Sequence, residues 1–174
     1  MSNKFSLQLD SQNSISFNPK KKRKQKNESP MEEKFYESVK KNSFELNPHI
    51  TILYGLKNEK DYYELVKYFK NKPEVKFTIS EISLFESDNK PYDVLKFTII
   101  SPDLVKYNSY VKENFDCNVT FPNYQPHLTI AYVNKGQGKK YLNLDSDLID
   151  EVFRESDLQF SLLDGEKLKI KLGG

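Results

Sequence analysis

The sequence predicts an α+β fold assembled from two related lobes rather than a doubly wound sheet, and three observations carry that expectation. Two β-rich runs, VKFTISEISLFES (residues 75 to 87) and PYDVLKFTIIS (91 to 101), are separated only by Asp88-Asn89-Lys90, the spacing of an antiparallel hairpin. Helix-patterned stretches alternate with such runs in both halves of the chain. An octapeptide also recurs: PHITILYG at 48 to 55 returns as PHLTIAYV at 126 to 133.

Composition allows one domain with a real core. The chain has 174 residues, 37% of them hydrophobic and 13% aromatic. Its single cysteine, Cys117, cannot form an internal disulfide and matches no zinc-ligand spacing, so a reducing, cytoplasmic setting and no metal are expected. No apolar run is long enough to cross a bilayer, and MSNKFSLQLD lacks the basic-then-apolar order of a signal peptide. The net charge of +2 is uneven: residues 1 to 30 hold seven Lys/Arg against two Asp/Glu, which is +5, so the remainder is −3. A mildly acidic globular part argues against a broad basic face for long nucleic acid and favours a small anion held by local donors.

Taken in order, residues 1 to 30 read as a disordered basic tail, with FSLQL (5 to 9) a possible first strand, and residues 31 to 174 as the folded domain. PKKKRK (Pro19 to Lys24) has the composition of a nuclear-import signal or a tether to nucleic acid, and equally that of a solubilising lysine run. MEEKFYESVKKN (31 to 42) is helical in pattern through Met31, Phe35 and Val39. PHITILYG reads as a strand ended by Gly55, and Asn58 as the cap of a helix whose stripe is Tyr62, Leu65, Val66 and Phe69, stopped by Pro73. After the hairpin, Ser101-Pro102-Asp103 supplies a cap, a first-turn proline and an acid for a helix with stripe Leu104, Tyr107, Val111 and Phe115. The loop DCNVTFPNYQ leads to PHLTIAYV, which ends near Gly136 and Gly138. A short helix near DLIDEVF and two strands, LQFSLL and KLKIKL, joined through Asp164-Gly165, complete the chain.

The repeated octapeptide holds both histidines. Strand alternation puts His49, Thr51 and Leu53 on one side and Ile50, Ile52 and Tyr54 on the other. The same parity groups His127, Thr129 and Ala131 against Leu128, Ile130 and Tyr132. A single such histidine is ordinarily a structural one. With only five threonines in the chain, one placed two positions after each histidine is roughly a one-in-a-thousand coincidence of composition. Two imidazoles can do the two proton transfers of phosphodiester cleavage at neutral pH, removing a proton from the attacking oxygen and giving one to the departing oxygen. The threonine hydroxyls, one pleat away, can donate to non-bridging phosphate oxygens. The scheme needs neither metal nor cofactor.

PHITILYG and PHLTIAYV resemble the paired signature motifs of the two-histidine (2H) phosphoesterase superfamily, which includes RNA-end cyclic phosphodiesterases, LigT-type proteins and viral nucleases. The resemblance implies a bilobal α+β fold whose two pseudo-symmetric lobes, with antiparallel sheets, place the motif strands across a central groove, and it makes His49, Thr51, His127 and Thr129 the catalytic set. The stretch from Asn47 to Tyr141, including ISLFES, YDVLKF and NYQPHLTIAYVNKGQGKKY, is similar to bacteriophage anti-CBASS members, which destroy cyclic oligonucleotide alarm signals. The implied function is a phosphodiesterase hydrolysing 3′–5′ linkages of cyclic oligonucleotides in an infected bacterial cytoplasm. A 2′,3′-cyclic phosphodiesterase on RNA ends and a non-catalytic, nucleotide-sequestering or virion-associated module are the alternatives. Long nucleic acid is expected to bind only through the basic tail, and no membrane partner is expected.

Other residues have two readings each. Tyr54 and Tyr132 repeat in register and by parity face away from the histidines, into the core. Tyr124, with Phe121 and Phe115 flanking the same loop, is a candidate to stack a nucleobase at the groove rim, against a structural role. Lys139, with Lys135 and Lys140, is either a phosphate-covering residue of a basic loop or part of a solvated surface.

Overall fold

The computed structural model describes residues 49–58, 60–86, 88–118, 123–162 and 166–173, and the backbone of Phe5–Gln8 and Ser14–Pro19. The helix expected at 31 to 42, nearly all of PKKKRK, and Phe121 lie outside the described residues. Among the described residues no helix is long and apolar enough to cross a membrane.

Among the described residues, nine strands and two α-helices form the mixed α+β structure. Strands β1 (Phe5–Gln8), β2 (Ser14–Pro19), β3 (Leu53–Tyr54), β8 (Asp157–Ser161) and β9 (Lys167–Lys171) make one sheet in the order β3-β2-β1-β8-β9. Strands β4 (Val75–Phe85), β5 (Tyr92–Ile100), β6 (His127–Asn134) and β7 (Val152–Glu155) make a second, in the order β6-β5-β4-β7. All pairings are antiparallel except that of β1 with β8. β2 falls in the stretch whose composition reads as a tail; its backbone instead pairs with β1, β3 and β8.

Besides the helical link from β3 to β4, the chain makes two direct crossings between the sheets. Ile50 bridges Leu128 of β6, and three residues later Leu53 pairs with Ile15 of β2. The second crossing is Glu155-Ser156-Asp157, between β7 and β8. There the buried Glu155 carboxylate accepts the backbone N–H groups of Ser156 and Asp157, and burial pushes its pKa up to about 7. These crossings merge the sheets into one curled, half-barrel surface.

The helices cover one face of that surface. α1 (Asp61–Lys70) buries Leu65 and Phe69, with Tyr62 and Val66 beside them, the stripe expected from its 3.6-residue period. Its start is later than expected: Asn58 contributes its backbone carbonyl to Asp61 N–H, and Lys60 holds the cap position. α2 (Pro102–Asn114) starts as its sequence dictates, with the Ser101 hydroxyl accepting from Leu104 N–H and Pro102 in the first turn. Leu104, Tyr107 and Val111 are buried against Phe97, Ile99 and Leu128 in the same apolar core.

Two sequence expectations are overturned here. No helix forms near DLIDEVF: Asp147 and Leu148 sit in a turn, Ile149 bridges Ile79, Asp150 has φ 64°, and Val152–Glu155 instead pairs with β4, stacking Phe153 on Phe77. A left-handed residue ends any helix there, and the β-prone Val152 and Phe153 fit a half-buried strand. The second concerns both motif tyrosines. A bulge in β6 leaves Ile130 without a partner on β5, since Leu95 pairs with Ala131 and Lys96 with Thr129. The extra residue reverses the parity, so Ala131 and Val133 turn into the core and Tyr132, opposite Val94, shares the side of Thr129. In the first motif the chain bends at Ile52, Leu53 is buried, and Tyr54 is 43% exposed.

Candidate active site

Alternating burial along the hairpin builds the open face. On β5, Asp93, Leu95, Phe97 and Ile99 are buried, whereas Lys96 and Thr98 between them are half-buried on the other side. Thr98 pairs with His127 and with Glu81; Lys96 pairs with Thr129 and with Ser83. Directly opposed residues share a face, so all six project from the side that the helices leave uncovered.

The first motif completes the array. Its antiparallel bridge, Ile50 to Leu128, joins two buried residues. Stepping one residue each way sets His49 beside Thr129 and Thr51 beside His127, all four half-buried on the open side. The result is two parallel rows running across the first-motif segment and strands β6, β5 and β4: His49, Thr129, Lys96, Ser83, and Thr51, His127, Thr98, Glu81. Neighbours within a row are about 4.8 Å apart and the rows about 7 Å apart by sheet geometry. The histidines thus occupy opposite corners of one cell, about 7 to 8 Å apart diagonally. That gap fits a tetrahedral phosphorus with an imidazole on either side.

Electrostatics distinguish the two ends of the rows. Burial holds His127 below the ordinary imidazole value, and the charges of Lys96 and His49 add to that lowering; its bond to the Gln125 carbonyl opposes it. That bond, 2.9 Å from Nδ1 to the carbonyl oxygen, has one workable direction for the neutral ring. A carbonyl only accepts, so Nδ1–H donates and Nε2 keeps a lone pair. Burial likewise lowers the Lys96 ammonium, opposed by the carboxylate of Glu81. Beyond Lys96 the hydroxyls interlock, with Ser83 Oγ 2.8 Å from Thr98 Oγ1 and Thr98 Oγ1 3.5 Å from Glu81 Oε1.

Two side chains hold the first motif from behind. Asn108 of α2, only 6% exposed, donates Nδ2 to the Ile52 carbonyl at 2.6 Å. Tyr124 donates its hydroxyl to the Thr51 carbonyl at 2.8 Å, and its ring packs on the core, which raises the hydroxyl's pKa by desolvation. Tyr124 is therefore a tie between the two motif segments, with its polar end already committed. Lys139 is not brought to the rows. It sits on a 3₁₀ turn, Gly138–Tyr141, that packs through Gly138 on Leu84, which shares the covered face with Leu95; its ammonium pairs with Glu86 at 3.5 Å.

Sequence reasoning missed Lys96, Thr98, Ser83, Glu81 and Asn108 as members or supports of the site. The signal for Lys96 and Thr98 was present in LKFTI, where polar–apolar alternation puts both on the side opposite Leu95, Phe97 and Ile99. The flip of Tyr132 extends the open face by an aromatic margin: Tyr132 meets Tyr92 edge to face at 5.3 Å, and Phe85, opposite Val94, is 46% exposed. A separate groove of about 570 Å³ lies between α1 and the β8–β9 hairpin, lined by Lys60, Tyr62, Tyr63 and Lys167 among others, and includes none of the eight row residues. Among the described residues no three His, Cys, Asp or Glu side chains converge as metal ligands would. In comparison with known proteins, no family model matches the chain and no curated protein is significantly similar to it.

Proposed function

We propose that the open face is the active site of a two-histidine phosphodiesterase, in which the bilobal family fold is the finer description of the curled sheet. The observation that supports this most is the Ile50–Leu128 bridge, because it sets two His-Thr pairs from distant parts of the chain side by side on one uncovered face. One imidazole takes the proton of the attacking oxygen, a water or a neighbouring 2′-hydroxyl, as the new P–O bond forms; the other gives a proton to the leaving oxygen as its bond to phosphorus breaks. Thr51 and Thr129 donate to the non-bridging oxygens, where negative charge grows in the transition state. No step calls on a metal or a cofactor.

The aromatic margin beside the rows supports a nucleotide over a simple phosphate ester, since rings at a groove edge can stack a base. By its resemblance to the anti-CBASS members, the favoured substrate is a cyclic di- or trinucleotide cut at a 3′–5′ linkage, in the cytoplasm of an infected bacterium. The test is incubation of the protein, with EDTA present, with a panel of cyclic oligonucleotides and RNA ends bearing 2′,3′-cyclic phosphates, the products being separated by chromatography. Turnover of the rings is the expected result. Turnover of the RNA ends alone would transfer the site to end processing, and tight retention without product would make it a sequestering module.

A further inference from the structure

We propose that Lys96 is a phosphate-binding residue of this face and that its charge makes His127 the proton acceptor of the pair. The inference deepens the phosphodiesterase reading and rests on it for the proton step.

Lys96 is directly opposite Thr129 on the neighbouring strand, one residue further from the first motif in the row His49, Thr129, Lys96, Ser83. A lysine in the middle of a strand with buried residues on either side, Leu95 and Phe97, has its stem held by the ladder, and its ammonium is left on the open side. Among the eight row residues it is the one lysine or arginine; the others are histidines, hydroxyl residues and Glu81. With its backbone one strand spacing, about 4.8 Å, from that of the threonine facing the phosphate, a lysine side chain can reach the same non-bridging oxygens.

The charges around His127 point the same way. From its own strand and the preceding loop it meets the Gln125 carbonyl; from β5, Lys96; from the first motif, His49; and Glu81 stands beyond Thr98 in its own row. Burial disfavours the charged ring, and a positive charge nearby disfavours it further, so burial first and Lys96 with it favour the neutral form of His127. Its Nδ1–H is committed to Gln125, which leaves Nε2 as the free base. Proton donation to the leaving oxygen then falls to His49. Glu81, coupled to Lys96 across β4 and β5, favours the charged ammonium in the absence of substrate.

The test uses the full chain with inorganic phosphate as probe, followed by NMR of the two histidine rings in wild type, Lys96→Met and Lys96→Arg. Phosphate should shift the ring signals of the wild type, bind Lys96→Met about tenfold or more weakly, the loss of one charge-assisted hydrogen bond, and recover in Lys96→Arg. In a pH titration without phosphate, the His127 midpoint should rise in Lys96→Met and stay near wild type in Lys96→Arg. Equal phosphate affinity in wild type and Lys96→Met, or no phosphate response in the wild type, overturns the assignment; so does a His127 midpoint that ignores the substitution. These readings need no turnover. A protein that binds phosphate through Lys96 yet cleaves no phosphodiester would defeat the function proposed above while leaving this binding assignment standing.

Discussion

His127 and Thr129 ride on β6, eight residues of which all but the bulged Ile130 pair with β5, whereas His49 and Thr51 lie on a segment with one bridge to β6 and only two ladder residues, Leu53–Tyr54. The two octapeptides are nearly the same, yet their supports differ in kind. The second motif is held by a repetitive ladder, in which no single bond decides the geometry. The first spans the seam between two sheets and relies on individual side-chain bonds, from Asn108 to the Ile52 carbonyl and from Tyr124 to the Thr51 carbonyl. Near-identical octapeptides can therefore sit on backbones of unequal robustness, and the weaker one is where remote substitutions should be felt.

The largest test asks whether the chemistry is as balanced as the motifs. His49→Ala and His127→Ala should each lower the turnover of a phosphodiester by about a hundredfold or more, the lower end for a general acid or base, measured as kcat. Wild-type-like rates in either variant would end the two-imidazole scheme. A bell-shaped pH–rate profile should accompany it, since one ring must be neutral and the other protonated; a monotonic rise through neutral pH would contradict this.

Asn108→Leu probes the seam next. It leaves the Ile52 carbonyl buried without its donor, so stability should fall by about 1 to 3 kcal/mol, read from the urea midpoint. Activity of the folded variant should fall as well, because the first motif loses its main tie to α2. An unchanged kcat would mean that the bridge to β6 suffices to position His49.

Tyr124→Phe removes one hydroxyl bond and keeps the packed ring, so about 0.5 to 1.5 kcal/mol is expected, with a correspondingly smaller effect on rate. The smallest effect concerns pH. His127 is held below the ordinary imidazole value of about 6.5, so the unfolded chain takes up that proton first. Its share of stability is complete above that pH and declines as pH falls through the folded value; His127→Gln should lose that component of the pH slope in denaturation curves.

Much of the architecture was legible from local pattern. The α2 start at Ser101-Pro102-Asp103, the stripes of both helices and the β4–β5 hairpin follow from capping chemistry and periodicity, which act within a few residues. The matched His-Thr spacing likewise singled out His49, Thr51, His127 and Thr129. Parity failed where one residue broke it: the bulge at Ile130 turned Tyr132 to the open side, the bend at Ile52 left Tyr54 exposed, and nothing in the two octapeptides marks either. Val152 and Phe153, read as helical beside DLID, became a strand because β4 offered a partner.

By itself, then, the sequence determined which residues can move protons and donate to a phosphate, because those properties belong to side-chain types and to short, regular spacing. Only the tertiary structure decided that the two motifs adjoin, that Lys96, Thr98, Ser83 and Glu81 extend their rows, and that Lys139 lies on the other side. Strand partners are chosen by long-range burial of one apolar face against the helices, and the choice of partner, with each one-residue slip in register, sets what stands next to what.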